Sequence, residues 1–178
     1  MATRAIGRWL AAVAAGAAAV QYLPSVAVLG QWGALEAAPG DLCRWRGSRA
    51  GRGVALTFDD GPHPEGTPAV LDRLDDLGLR ATFFPLGAAV ERYPDLVAET
   101  VRRGHQVETH GHRHGHHLAR SPLWVERDLS RADAAMAAVG VRPRWYRPAY
   151  GQATGTTFVA ARRRGWRPVL WSAWGREW

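Results

Sequence analysis

The chain has 178 residues, 47% of them hydrophobic and 22% charged, which is enough for one domain with a real core and excludes a disordered chain. The formal charge of +7 comes entirely from arginine, since the chain has no lysine, and apart from Arg162–Arg164 the arginines are scattered rather than gathered on a recognisable motif. Nucleic-acid binding is therefore excluded, while the positive charge remains compatible with an acidic cell surface. A lone cysteine, Cys43, excludes an internal disulfide and a thiolate metal site. Nine tryptophans fit either a filled core or a carbohydrate-handling surface.

Arg4 and Arg8 precede an apolar run from Trp9 to Val20, interrupted by Gln21 and Pro24 and resumed from Val26 to Leu29. Residues 1–30 read as a hydrophobic helix serving as a cleaved secretory signal or an uncleaved membrane anchor, so the protein is expected to be exported. Residues 31–51, with Gly33, Pro39, Gly40, Gly47 and Gly51, read as a linker, and 52–178 as the domain.

Within the domain, strand and helix patterns alternate. Val54–Phe58 reads as a buried strand ending at two aspartates. Pro68 at the first position and Gly78 beyond the last bracket a helix with Val70, Leu71, Leu74 and Leu77 at helical spacing. Ala81–Leu86 reads as a second strand, Pro94–Arg103 as a helix with Leu96, Val97 and Val101 on one face, and Gln106–Thr109 as a third strand. Ser121-Pro122 caps a long helix through Val139. Trp145–Arg147 is a short strand, Thr154–Arg164 a helix stopped by Gly165, and Pro168–Trp171 a last strand. Strand-then-helix units indicate an α/β domain with a parallel sheet, open or closed into a barrel, whose polar residues fall just after the strands.

Three polar clusters carry the chemistry. In Thr57-Phe58-Asp59-Asp60-Gly61-Pro62, adjacent carboxylates repel each other unless a cation neutralises one and leaves the other as a base. Two turn-forming aspartates before Gly-Pro are an equal reading. Six of the seven histidines lie between His105 and His117. His110 and His114 stand four apart, so a helical turn would put both imidazoles on one side, and with an aspartate they make a His-His-Asp set with open positions for water. His112, His116 and His117 are expected to face solvent or to stand behind the ligands, and His105 to be structural. In Trp145-Tyr146-Arg147-Pro148-Ala149-Tyr150-Gly151, Arg147 either orients a carboxylate or sits on the surface.

Together these residues resemble the first three motifs of the polysaccharide deacetylase family, the NodB-like carbohydrate esterases, in the family's order and over about residues 52–178. The resemblance implies a deformed (β/α) barrel and a metal-dependent hydrolase that removes acetyl groups from N- or O-acetylated glycans such as peptidoglycan, chitin-like oligomers or xylan. It implies Asp59 as general base, Asp60, His110 and His114 as ligands of a divalent metal, Arg147 as the residue that positions Asp59, and the backbone N–H of Tyr150 in the oxyanion site. The metal expected is zinc, with cobalt or nickel also accepted by such a ligand set.

Three departures from the family pattern carry expectations of their own. Gly111 stands where a serine or threonine would brace the histidine loop, which should weaken support behind the ligands. In the fourth motif, Trp171 to Trp178, Trp174 occupies an acidic position and Glu177 the other, which puts the usual tether of the arginine in doubt. The chain stops at Trp178, before the family's Leu-x-His, so an incomplete barrel and weak or absent turnover are expected. Two other readings compete with the deacetylase: a non-catalytic, wall-associated glycan-binding protein, and a hydrolase of non-sugar amides.

Overall fold

The computed structural model describes residues 10–19, 21, 53–171 and 173. Of the N-terminal stretch expected to meet a membrane, residues 10–19 and 21 are helical, and among the described residues no helix is long and apolar enough to cross a bilayer. The rest of that stretch, the linker with Cys43, and Trp174 and Glu177 lie outside the described residues.

Among its described residues the domain has five strands and five α-helices: β1 (Thr57–Asp60), α1 (Gly66–Asp76), β2 (Thr82–Pro85), α2 (Gly87–Arg92), α3 (Pro94–Arg102), β3 (Gln106–Val107), α4 (Pro122–Ala138), β4 (Trp145–Tyr146), α5 (Gly155–Arg163) and β5 (Arg167–Pro168). All strand pairs are parallel, in the order β1-β2-β3 and β4-β5. Among the described residues one parallel bridge, Thr109 to Tyr146, joins the two sets. The chain after β3 thus bonds on both sides: Glu108 N and His110 N donate to Phe83 O at 2.8 Å and Pro85 O at 3.0 Å of β2, and Arg147 N donates to Thr109 O at 3.0 Å from the β4 side. Within the described residues β5 does not pair with β1.

Helix ends follow local chemistry. The Ser121 hydroxyl accepts from Trp124 N at 3.2 Å, with Pro122 at the start of α4. Thr154 and Thr157 form a reciprocal capping box at the head of α5. Gln21 of the N-terminal helical stretch adds a second acceptor there, its Oε1 taking Thr156 N at 3.1 Å.

Three apolar clusters fix the helices to the strands. Leu71 and Leu74 of α1 pack with Ala81 and Phe83. Val90, Val97, Val107, Ala135 and Met136 join α2, α3 and α4 to β3. Val125, Leu129, Tyr146, Ala160, Ala161 and Trp166 join α4 and α5 to β4.

Several expected elements change. Val54–Leu56 is not strand; Val54 and Leu56 are exposed and pairing begins at Thr57, so β1 contains both aspartates. The third strand is Gln106–Val107 rather than Gln106–Thr109, although His110 N still donates to Pro85 O of β2 at 3.0 Å. In α3 the inward residues are Val97 and Thr100, not Val101. Thr100 tolerates burial because its hydroxyl donates to Leu96 O at 2.7 Å. The last strand is Arg167–Pro168 rather than Pro168–Trp171. Helix α2 is an addition to the sequence reading.

Candidate metal centre

The site starts from the alternation of β1. Thr57 and Asp59 share one face, where Arg147 Nη1 donates to Thr57 Oγ1 at 2.8 Å and to Asp59 Oδ1 at 2.7 Å. Phe58 faces the other way and stacks on Phe83, ring centroids 5.1 Å apart. An extended Asp60 would follow Phe58 away from the site. Instead its φ is 71°, and Gly61 N closes back on Asp59 O at 2.9 Å. A left-handed aspartate is strained, and here the strain has a visible result: both carboxylates reach one end of the sheet. The bend expected of Gly61-Pro62 occurs one residue earlier, at Asp60 itself.

The histidines arrive on the loop after β3. His110 is buried, and its Nδ1 lies 2.7 Å from Arg147 O. A carbonyl only accepts, so Nδ1 carries the proton and Nε2 presents its lone pair toward Asp60. Burial lowers the His110 pKa, against the opposing pull of Asp59 and Asp60, and so favours the neutral ring. Residues 110–114 are not a helical turn, contrary to the sequence reading. The loop is irregular, with Gly111 at φ 89°, and it is this bend that turns His114 back beside His110. The loop is held on one side by α2, whose Gly87 N and Ala88 N donate to Gly111 O at 2.8 Å and His112 O at 3.1 Å. On the other side the Asp128 carboxylate accepts from His112 N at 3.0 Å and Arg113 N at 3.1 Å. The loop is therefore braced even though residue 111 has no hydroxyl.

Asp60 Oδ1 lies 3.5 Å from Nε2 of His110 and 3.5 Å from Nε2 of His114. One donor atom from each residue falls within 4.8 Å of the others. Three lone-pair donors facing one another without a proton between them repel, and a cation among them removes that repulsion. The separations agree with the ~3.4 Å edge of a tetrahedron whose bonds are roughly 2.1 Å, so the donor set fits a divalent ion of zinc size.

Arg147 is buried rather than on the surface: its guanidinium lies 4.1 Å over the Phe84 ring and 5.9 Å from that of Trp171. One residue thus holds Asp59 by its side chain and His110 by its carbonyl. Tyr150, at φ 56°, sets its ring 4.2 Å from His114 and stacks on His116 at 3.7 Å. The other histidines divide. His116 is exposed, while His112 and His117 are buried rather than solvent-facing, and His117 Nδ1 meets Thr157 Oγ1 at 2.9 Å. His105 is buried, and its Nδ1 accepts from Ala81 N at 3.3 Å. Sequence reasoning passed over Thr57, Asp128 and His63, whose Nδ1 accepts from Glu65 N and Gly66 N at the head of α1. Only Thr57 left a trace in the sequence, two positions before Asp59 and hence on its face.

Carboxylates and imidazoles thus gather at the strand ends of a parallel α/β fold. The profile of the polysaccharide deacetylases aligns with residues 46–169, and the chain belongs to that family and has its α/β fold. It is 33% identical over 137 residues to a peptidoglycan-N-acetylglucosamine deacetylase of Bacillus cereus, covering 77% of this chain and 64% of that protein. It is 36% identical over 129 residues to a chitooligosaccharide deacetylase of a Bradyrhizobium species, covering 71% and 59%. The solved family 4 carbohydrate esterase of Streptomyces lividans, in complex with acetate, superposes with a TM-score of 0.64 at 34% identity, over 67% of this chain and 62% of that one. The chain therefore spans about three fifths of the length of these relatives.

Proposed function

We propose that the chain forms the metal-binding part of a deacetylase acting on N-acetylated glycans outside the cytoplasm, with peptidoglycan or chitin-like oligomers as substrate. The carrying observation is the convergence of Asp60, His110 and His114 beside a second carboxylate, Asp59, held separately by Arg147. The names of the relatives, a peptidoglycan deacetylase and a chitooligosaccharide deacetylase, support the substrate class.

Asp60, His110 and His114 would hold the ion, zinc in the first instance and cobalt or nickel as substitutes. When bound, the ion supplies Lewis acidity, which acidifies water and draws charge from the acetyl carbonyl. Asp59 is the base. Its Oδ1 is tied to Arg147 at 2.7 Å, which fixes the carboxylate's orientation and leaves Oδ2 to take the proton of the attacking water. Arg147 positions Asp59 and also sets the His110 tautomer through its carbonyl. The backbone N–H of Tyr150 is assigned to the charge that develops on the acetyl oxygen, a role in which one donor is worth about 3 kcal/mol. The ring face formed by Tyr150 and His116 offers a sugar a surface next to the ligands.

Acetate release from N-acetylchitooligosaccharides and from peptidoglycan tests the proposal. Asp59→Asn should lower turnover by about 10²-fold or more while metal content stays unchanged. Asp60→Ala should lose the metal. Stoichiometric metal in Asp60→Ala, or turnover in Asp59→Asn close to that of the unaltered protein, would overturn the assignments.

A further inference from the structure

Asp128 lies on α4, outside every motif singled out in the sequence and touching none of the candidate ligands. It is nevertheless only 5% exposed. Its two oxygens are both spent on one loop: Oδ2 accepts from His112 N at 3.0 Å and Oδ1 from Arg113 N at 3.1 Å. These are successive amides in the segment that separates His110 from His114. The closeness of the fit appears at Gly111, where a Cβ would lie 3.1 Å from Asp128 Oδ2.

The two histidines are anchored differently. His110 is fixed by its own contacts, N to Pro85 O at 3.0 Å and Nδ1 to Arg147 O at 2.7 Å. His114 is about a third exposed; its ring meets Asp60 Oδ1 at 3.5 Å and the Tyr150 ring at 4.2 Å, and the path of the backbone before it brings it there. A carboxylate that accepts from two consecutive amides fixes both peptide planes with charge-assisted bonds. The carbonyls of the same segment are held by Gly87 N and Ala88 N of α2. The loop is thus clamped by its donors on one side and its acceptors on the other.

We propose that Asp128 is a positioning residue of the metal centre: its carboxylate locks residues 111–113 and so sets the His114 imidazole against His110 and Asp60. The inference rests on the reading of those three residues as metal ligands. It requires a carboxylate, because both partners are donors. An asparagine would face one of the two amides with its own NH₂ group, leaving a donor opposed to a donor. A residue behind the ligands that holds them in place is worth about 10–100-fold in metal affinity.

The test is titration of the full-length chain with Co²⁺ in place of Zn²⁺, read by the visible absorption of the bound ion and by competition with a chelator. The chain as it stands is compared with Asp128→Asn and with Met136→Ala, a core truncation on the same helix that leaves the loop contacts in place. Asp128→Asn should bind Co²⁺ at least tenfold more weakly and with an altered absorption band, whereas Met136→Ala should keep both the affinity and the band. Equal affinities for Asp128→Asn and the unaltered chain, or equal losses in the two variants, overturn the proposal. If Asp128→Asn does not fold, Asp128→Glu decides: weaker binding with a shifted band supports positioning, and unaltered binding overturns it. If neither variant folds, Asp128 is a folding determinant and the positioning role is overturned. Failure of the unaltered chain to bind Co²⁺ at all would remove the metal reading itself, whereas normal binding by that chain together with unchanged binding by Asp128→Asn would remove only the role of Asp128.

Discussion

His117 shows how one buried side chain sets a pH limit on the fold. It is 2% exposed, bonded to Thr157, and packed between the rings of Tyr146 and Trp124. Burial lowers its pKa to about 4, from the 6.5 of a free histidine. Above pH 6.5 both folded and unfolded chains hold it neutral and it carries no penalty. Between 6.5 and 4 the unfolded chain takes a proton that the folded chain refuses, so stability falls as the pH is lowered through this window, by about 3 kcal/mol over the whole of it. His105 and His112, also lowered by burial, act with the same sign. Urea midpoints measured at pH 7 and pH 5 should therefore differ, and His117→Asn, which keeps a polar reach toward Thr157, should narrow the difference. An unchanged difference would show that His117 titrates normally. The histidine tract is also where a single sequence is least informative at this scale. Its spacing marks His110 and His114 as a pair, but six histidines in thirteen positions carry no periodicity that sorts buried from exposed. His112 is buried because residue 87, on a helix the sequence did not disclose, is glycine: a Cβ there would lie 2.8 Å from His112 Nδ1.

Between elements, the passage from β3 to β4 rests, among the described residues, on one isolated bridge between the two sets of strands. Glu108 reinforces it. It is 2% exposed, and one carboxylate oxygen accepts from Arg144 N at 2.6 Å and Trp145 N at 2.7 Å, while the other takes Gln106 Nε2 at 2.5 Å. Glu108→Ala would leave two amides at the head of β4 without their acceptor, a loss of roughly 3 kcal/mol or more. The expected result is a lower denaturant midpoint with little change in slope, together with weaker metal binding, because Arg147, which holds His110 through its carbonyl, directly follows β4. A midpoint within experimental error of the unaltered chain would show that water replaces the carboxylate. Helices were legible where capping chemistry marks their ends, as at Ser121, Thr154 and the left-handed Gly78, Gly104 and Gly165. Helix α2 was not, since six residues beginning with glycine and containing one fully buried apolar side chain, Val90, carry too little pattern. Strand limits failed for a related reason: Val54–Leu56 has a strand's composition but its valine and leucine are left exposed, and composition cannot report the missing neighbour.

Across the whole domain, the order of the motifs was legible because each lies at or just after the end of a parallel strand, and parallel strands end on the same side. Their convergence on one point was not, because it depends on three left-handed residues, Asp60, Gly111 and Tyr150, and on a carboxylate from α4. The candidate ligands come from two distant parts of the chain, the end of β1 and the loop after β3, so an ion bound there ties together segments that unfolding separates. A ligand that binds the folded state alone stabilises it by mass action, about 2.7 kcal/mol when its free concentration is a hundred times its dissociation constant. For a domain of this size each kcal/mol moves the melting temperature by roughly 2–4 °C. Saturating Zn²⁺ should therefore raise the midpoint by about 5–10 °C over the chelated protein. Asp60→Ala, which removes an exposed carboxylate and leaves the core intact, should erase that difference. Alanine tolerates the left-handed backbone at residue 60 less well than aspartate, so the chelated midpoint of the variant falls somewhat and the zinc-dependent difference is the quantity to read. A zinc-dependent rise that survives in Asp60→Ala would place the ion elsewhere in the molecule, and with it the chemistry assigned to this end of the sheet.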